Sequence, residues 1–346
     1  MTRARYRALD GALRVGVIPD PVLRAGGRRG TRWRVRHETR GGVEASEQRL
    51  EELLHTLSSG PIAELPEVAN AQHYELPSAF FELLLGPNVK YSSGLWEADG
   101  TTLEESEEAM LAAVCDRAGI EDGMCVLDLG CGWGALALWV AARYPNSEVT
   151  AVSNSQRQHD WITQRARRDG LNNLQVHTCE ITAFEPNLRF DRIVSIEMFE
   201  HMRNWRELLR RISTWLSDDG RAFIQVFSHA SIPYRFEGTW AAERFFSAGL
   251  MPSHDLLLHF QDHLTVERRW AVSGQHYART LDAWLRRLDA RAGEAIAVLE
   301  ADGRTASEAR LLLKQWRLFL ISTQMMWGSR DGNQWMVSHY RLRGRW

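Results

Sequence analysis

Three side chains in the stretch DRIVSIEMFEHMRNW, residues 191–205, have the chemistry to move protons. Glu197, Glu200 and His201 follow an apolar run that reads as a strand. If the segment after Ile196 is helical, their spacings of three and four put all three on one face. Two carboxylates on one face repel unless a cation sits between them, and an imidazole beside them can take or return a proton near neutral pH. That suits an acceptor that arrives as a cation and must lose a proton, as an amine must before its lone pair can attack. The same acids also favour a helix N-terminus, where Arg203 or Arg206 could pair with them, so the spacing leaves both readings open.

A second candidate lies upstream. VLDLGCGWGAL places Gly130, Gly132 and Gly134 at the tip of a predicted strand where a helix begins. Glycines there let the backbone approach a ligand, and open parallel sheets bind ligands outside the carboxyl ends of their strands. A bare tight turn is one reading of such a cluster. A dinucleotide loop is another, since Gly130, Gly132 and Ala135 fit GxGxxA, but it needs an acid about 20 residues on. The next strand ends TAVSNSQ, with no acid at its tip. Asp128, two residues before the first glycine, instead makes the loop resemble the first motif of Rossmann-like methyltransferases that use S-adenosyl-L-methionine (SAM).

The elements that must position these residues follow from the pattern. Strands MCVLDLG, EVTAVS, LQVHTC, DRIVSIE and RAFIQVF alternate with helices near 134–144, 155–169 and 202–216, which predicts a doubly wound, mostly parallel sheet. After residue 230 the text turns irregular, then helical over 276–300 and 306–326, and QWMVSHYRLRG reads as a closing antiparallel strand. Upstream, residues 1–43 are basic and turn-rich with one weak helical pattern near 9–24. EASEQRLEELLHTLSSG and TTLEESEEAML read as helices, the latter with Thr102 and Glu105 as a capping box.

Composition narrows the classes. The 346 residues, 44% hydrophobic, suffice for a substantial core, and a net charge of −2 gives no general attraction to nucleic acid or an anionic membrane. Lys90 and Lys314 are the only lysines. The four cysteines show no metal-ligand or disulfide spacing and read as reduced; no metal is expected. No apolar run approaches about 18 residues. The expectation is a soluble, cytoplasmic chain without stable membrane insertion, with a homodimer left open.

From His73 onward the words HYELP, KYSSGLW, DLGCGWGAL, VSNSQRQ, SIEMFEHMRNW, LLLHFQDHLTVERRW, SGQHYARTLDAWLRRLD and GNQWMVSHYRL resemble the cyclopropane-fatty-acid synthase superfamily, and its coclaurine N-methyltransferase branch most closely. The resemblance implies an α/β, Rossmann-like class I methyltransferase fold with a seven-stranded sheet, helices on both faces, an N-terminal helical region and a lid-like insertion after the fifth strand. It divides the chain into a basic, helical extension (1–70), a helical cap contributing to the cofactor and acceptor site (71–120), and a core (121–346) with an acceptor-pocket insertion at about 230–330. Implied cofactor contacts are Tyr91, Ser92, Asp128, Gly130, Gly132, Ser153, Asn154, Gln158, Glu180 and Ile181, with SAM as methyl donor. Glu200 and His201, assisted by Glu197, become the acid–base group for a small aromatic or heterocyclic amine. Tyr74, Glu75, Tyr277 and Trp327 become candidate acceptor contacts.

The superfamily's lipid-modifying members look to a bicarbonate held by Cys, Glu, His and Tyr. Here Ser93 and Gln225 stand where the Cys and His would be, so only Glu200 and Tyr277 of that cage remain. This favours amine methylation over cyclopropanation. A lipid synthase or an S- or C-methyltransferase is the alternative on the same scaffold. A catalytically silent SAM-binding subunit and a nucleic-acid methylase rank lower, the latter for want of an Asn-Pro-Pro-aromatic motif.

Overall fold

The structure is a computed structural model that describes residues 6–16, 18–63, 76–246 and 249–345. Its main sheet is built from β1 (Cys125–Leu129), β2 (Glu148–Ser153), β3 (Leu174–Thr178), β4 (Phe190–Ile196), β5 (Leu216–His229), β8 (Leu264–Ser273) and β9 (Trp335–Gly344). Two short strands, β6 (Tyr234–Arg235) and β7 (Leu250–Met251), pair separately. The order across the sheet is β3-β2-β1-β4-β5-β9-β8. The first five strands are mutually parallel, and β9 runs antiparallel to both β5 and β8.

Strand order reverses between β1 and β4. The crevice at their carboxyl ends is therefore the switch point where such sheets take ligands. Val126, Leu127 and Leu129 of β1 are buried, as expected of a strand covered on both faces. On one face Met110, Leu111 and Val114 of the helix Leu103–Ala118 join the core. On the other, Leu208, Leu209 and Ile212 of Trp205–Trp215 do so. The Thr102–Glu105 capping box is formed.

Three expectations are corrected. Residues near the N-terminus are more helical than their turn-rich text suggests: α1 (Arg7–Val15) stops at left-handed Gly16, and α2 (Asp20–Glu38) runs through Gly26, Gly27 and Gly30. A Cβ at Gly27 would lie 3.2 Å from Met325 and 3.4 Å from the Ser322 backbone, so glycine there allows α2 to lie close against the long helix Ala306–Trp327. Second, LTVERRWAVS forms β8, a sheet-edge strand. Its Glu267-Arg268-Arg269 run and a register shift between Val266 and Arg268 hide the alternation that would mark it in sequence. Third, the segment expected as one helix over 276–300 is two, Gly274–Ala290 and Ala292–Ala301, broken at Arg291.

Candidate active site

All ten expected cofactor residues line one cavity at the carboxyl ends of β1, β2 and β4. The backbone N–H groups of Gly130 and Cys131 both donate to Val152 carbonyl oxygen, at 3.0 and 2.9 Å, which curls the loop over the end of β2. Gly130 has φ +81° and its missing Cβ would come within 2.7 Å of Met198. Gly132 has φ +53° and open space beside it, so its bare backbone faces the cavity. Asp128 accepts the Ala137 N–H at 3.1 Å, tying β1 to the first turn of the following helix, and burial pushes its carboxyl up to about 7.

Beyond β2, Ser153 Oγ donates to Gln158 Oε1 at 2.5 Å, and Asn154 Nδ2 donates to Glu180 Oε1 at 3.2 Å. Gln158 Nε2 and Trp133 Nε1 are buried donors with no partner among the described residues, and both residues line this cavity. Buried orphan donors beside a bare glycine backbone fit a ligand rich in oxygen acceptors, as the ribose and carboxylate of SAM are.

At the end of β4 the chain departs from the expected helix. Glu197 takes a left-handed φ of +52°. Phe199–His201 is a single 3-10 turn, and the α-helix starts only at Trp205. The indole of Trp205 donates to Phe199 carbonyl oxygen at 2.9 Å, and Asn204 Oδ1 caps the new helix by accepting from Glu207 N–H at 3.0 Å. Glu197, Glu200 and His201 thus share no helical face. A non-glycine residue at positive φ costs about 1–3 kcal/mol, and here it turns the Glu197 side chain into the site.

Glu197 Oε2 accepts from the Tyr277 hydroxyl at 2.7 Å and Oε1 from Gln225 Nε2 at 3.1 Å. Burial raises its pKa, opposed by the Lys90 charge and these hydrogen bonds. Glu200 sits behind it, fully buried. Its Oε1 accepts Phe227 N–H at 2.6 Å, and Oε2 has no partner among the described residues. Burial and the neighbouring Glu197 charge push Glu200 well up. Arg206 does not pair with either acid; it faces Asp262 at 3.4 Å. The His201 ring stacks on Phe246, centroids 5.8 Å apart, and burial pulls its pKa down to about 4, leaving a neutral imidazole at pH 7.

A second cavity, of about 510 Å³, lies beyond this turn. Its walls include Phe227, Phe236, Phe246, Tyr277, Trp327 and Trp335, and Gly26 and Gly30 of α2 reach its lining. Tyr277 and Trp327 stack with centroids 4.5 Å apart. Among the described residues, Tyr91, Glu197 and His201 line both cavities. Tyr74 and Glu75 fall outside the described residues.

The sequence reading missed two kinds of lining residue. The faces of α1 and α2 carry no local motif that would reveal them. Lys90 lines the cofactor cavity and did leave a signal, as one of two lysines, adjacent to Tyr91 in KYSSGLW.

The family profile for mycolic acid cyclopropane synthetase matches residues 64–327. The chain is 39% identical over 335 residues to an (S)-coclaurine N-methyltransferase of Thalictrum flavum subsp. glaucum, covering 94% of this chain and 92% of that protein. It is 28% identical over 222 residues to the cyclopropane-fatty-acyl-phospholipid synthase of Escherichia coli K12, covering 64% and 56%. A crystal structure of coclaurine N-methyltransferase bound to N-methylheliamine and S-adenosylhomocysteine (SAH) superposes with a TM-score of 0.93 at 38% identity, covering 97% of this chain and 99% of that one. With its parallel sheet, switch-point glycine loop and this likeness along nearly its whole length, the chain belongs to the mycolic acid cyclopropane synthetase family, as a SAM-dependent methyltransferase of its N-methyltransferase side.

Proposed function

We propose that this enzyme methylates the nitrogen of a small aromatic or heterocyclic amine, with Glu197 and His201 touching the acceptor and Glu200 completing the acid–base group behind them. The observation that carries the reading is the meeting of the two cavities at Tyr91, Glu197 and His201. SAM, when bound, supplies an electrophilic methyl carbon. The cofactor residues named above would hold it, and the aromatic cavity would place the amine on the opposite side of the shared residues, excluding water and aligning the nitrogen for in-line attack.

The site's own groups then handle charge and proton. Glu197, aimed by Tyr277 and Gln225, attracts the ammonium form; the faces of Tyr277 and Trp327 favour it further. Glu200, its carboxyl pushed well up, forms with His201 the group that takes the proton, freeing the lone pair. Glu197 and Glu200 repel when both are charged, so a bound cation relieves the pair.

The lipid-synthase alternative needs groups that are otherwise engaged here. The Gln225 side chain donates to Glu197, and the Ser93 hydroxyl donates to the Gly94 carbonyl oxygen at 2.9 Å. Incubation with SAM and a panel of cyclic amines, thiols and unsaturated phospholipids, read by SAH release and product mass, tests the proposal. A cyclic amine gaining one methyl on nitrogen supports it. SAH release with phospholipid alone, the lipid gaining one carbon at its double bond, overturns it.

A further inference from the structure

Two segments far apart in the chain share the wall of the aromatic cavity. Leu9, Leu23 and Thr31 come from α1 and α2, and Phe236, Trp240 and Phe246 from the insertion after β5. The cofactor cavity is built differently. Among the described residues none before Leu53 lines it, and of the segment 234–246 only Arg235 does.

Polar groups fasten the two segments to each other. Arg34, 8% exposed, donates from Nη2 to the Glu237 carbonyl oxygen at 2.7 Å, and its guanidinium lies over the Tyr234 ring, 5.1 Å from the centroid. Glu38 pairs with its Nη1 at 2.8 Å, so the guanidinium carries its own counter-charge and does not oppose a cationic guest. Asp10 Oδ1 accepts from Trp240 Nε1 at 3.4 Å and from Gln315 Nε2 at 3.0 Å, while Oδ2 pairs with Arg244. The Tyr6 hydroxyl donates to the Gly238 carbonyl oxygen at 3.0 Å.

We propose that Asp10 and Arg34 are positioning residues for the acceptor: they clasp the insertion to the N-terminal helices and so hold the aromatic cavity in the shape that binds the amine. The inference rests on the functional reading above and adds what keeps that wall in place. The insertion's helix, Trp240–Phe245, has six residues, too few to persist in water without tertiary contacts. The N-terminal helices are seated on the long helix Ala306–Trp327, through Gly27 and through Arg317, which pairs with Asp20 at 3.0 Å. Asp10 stands where α1, the short helix and the long helix meet, so one carboxylate ties all three together. Apparent affinity for a guest falls with the fraction of molecules whose wall is in place. SAM is held by other residues and is indifferent to the clasp.

The test compares wild type with Arg34→Met and Asp10→Ala, which cut the clasp, and with Asp20→Ala, which cuts the ion pair between α2 and the long helix instead. For an amine that wild type methylates, KM rises about tenfold in Arg34→Met and Asp10→Ala, kcat changes less than about threefold, and SAH affinity by calorimetry stays the same. Asp20→Ala lowers Tm without moving KM, and Arg34→Lys, which keeps the charge and a donor, recovers most of the loss. An equal rise of KM in Asp20→Ala means general loosening and overturns the proposal. So does SAH affinity that falls in step with the amine's, or a KM that does not move. Arg34→Gln and Asp10→Asn, milder cuts of the same links, take the place of any variant that does not fold. Should wild type methylate no amine, the functional reading fails by itself. Amide hydrogen exchange over 234–246 with SAH bound still decides: faster exchange in Arg34→Met and Asp10→Ala than in Asp20→Ala supports the clasp, and equal rates overturn it.

Discussion

Tyr277 donates its hydroxyl to Glu197 at 2.7 Å while the same ring lies stacked on Trp327. One residue from the helix Gly274–Ala290 therefore sets the direction of the acid and forms part of the aromatic cavity wall. Tyr277→Phe keeps the ring and removes the hydrogen bond. A bond to a charged group is worth about 1.5–3 kcal/mol, so kcat/KM for the amine should fall about 10- to 100-fold. Steady-state kinetics by SAH release, beside SAM affinity that does not change, would check it.

The turn after β4 gives a second test. Glu200→Gln combined with His201→Ala should lower turnover about 10²-fold or more while SAM binding, measured by calorimetry, stays intact. Undiminished turnover would return the turn to a purely structural role.

Glu200 alone makes a pH prediction of definite sign. Its folded pKa is raised, so its contribution to stability is complete below the ordinary glutamate range and is lost as pH rises toward the folded value. Glu200→Gln keeps an oxygen for Phe227 N–H and carries no such penalty. Its Tm should match wild type near pH 4 and exceed it increasingly toward pH 8, by about 2–4 °C for each kcal/mol relieved. Thermal melts across that range decide, and a variant less stable at pH 8 than at pH 5, relative to wild type, contradicts the shift.

On the cofactor side, Gln158 is held by Ser153 with its amide nitrogen still unpartnered among the described residues. Gln158→Ala should weaken SAH binding about tenfold, the scale of one lost hydrogen bond in a buried site. The KM for amine should hardly move. An equal loss of amine affinity would mean that Gln158 shapes the acceptor cavity instead.

Much of this was written locally. Strand-like runs alternating with helices marked the five parallel strands, and Gly130, Gly132 and Asp128 marked the loop at their carboxyl ends, because backbone conformation and ligand approach there depend on residue type at adjacent positions. The capping box at Thr102 and the closing strand were legible for the same reason. β8 was not, since a charged edge strand carries no apolar alternation.

The sequence alone supplied the side-chain chemistry of the candidate site and the glycine loop beside it, since residue type and motif are local. Only the tertiary structure decided how they meet. Glu197 reaches the cavity through a left-handed backbone and a hydroxyl 80 positions away, not through a helical face. Lys90 lines the same cavity from a segment more than a hundred residues earlier in the chain. The N-terminal helices enter the wall of the aromatic cavity because Gly27 permits close packing on a helix at the far end of the chain. Contacts of that range have no period or motif; they arise only when the sheet and its helices are packed together.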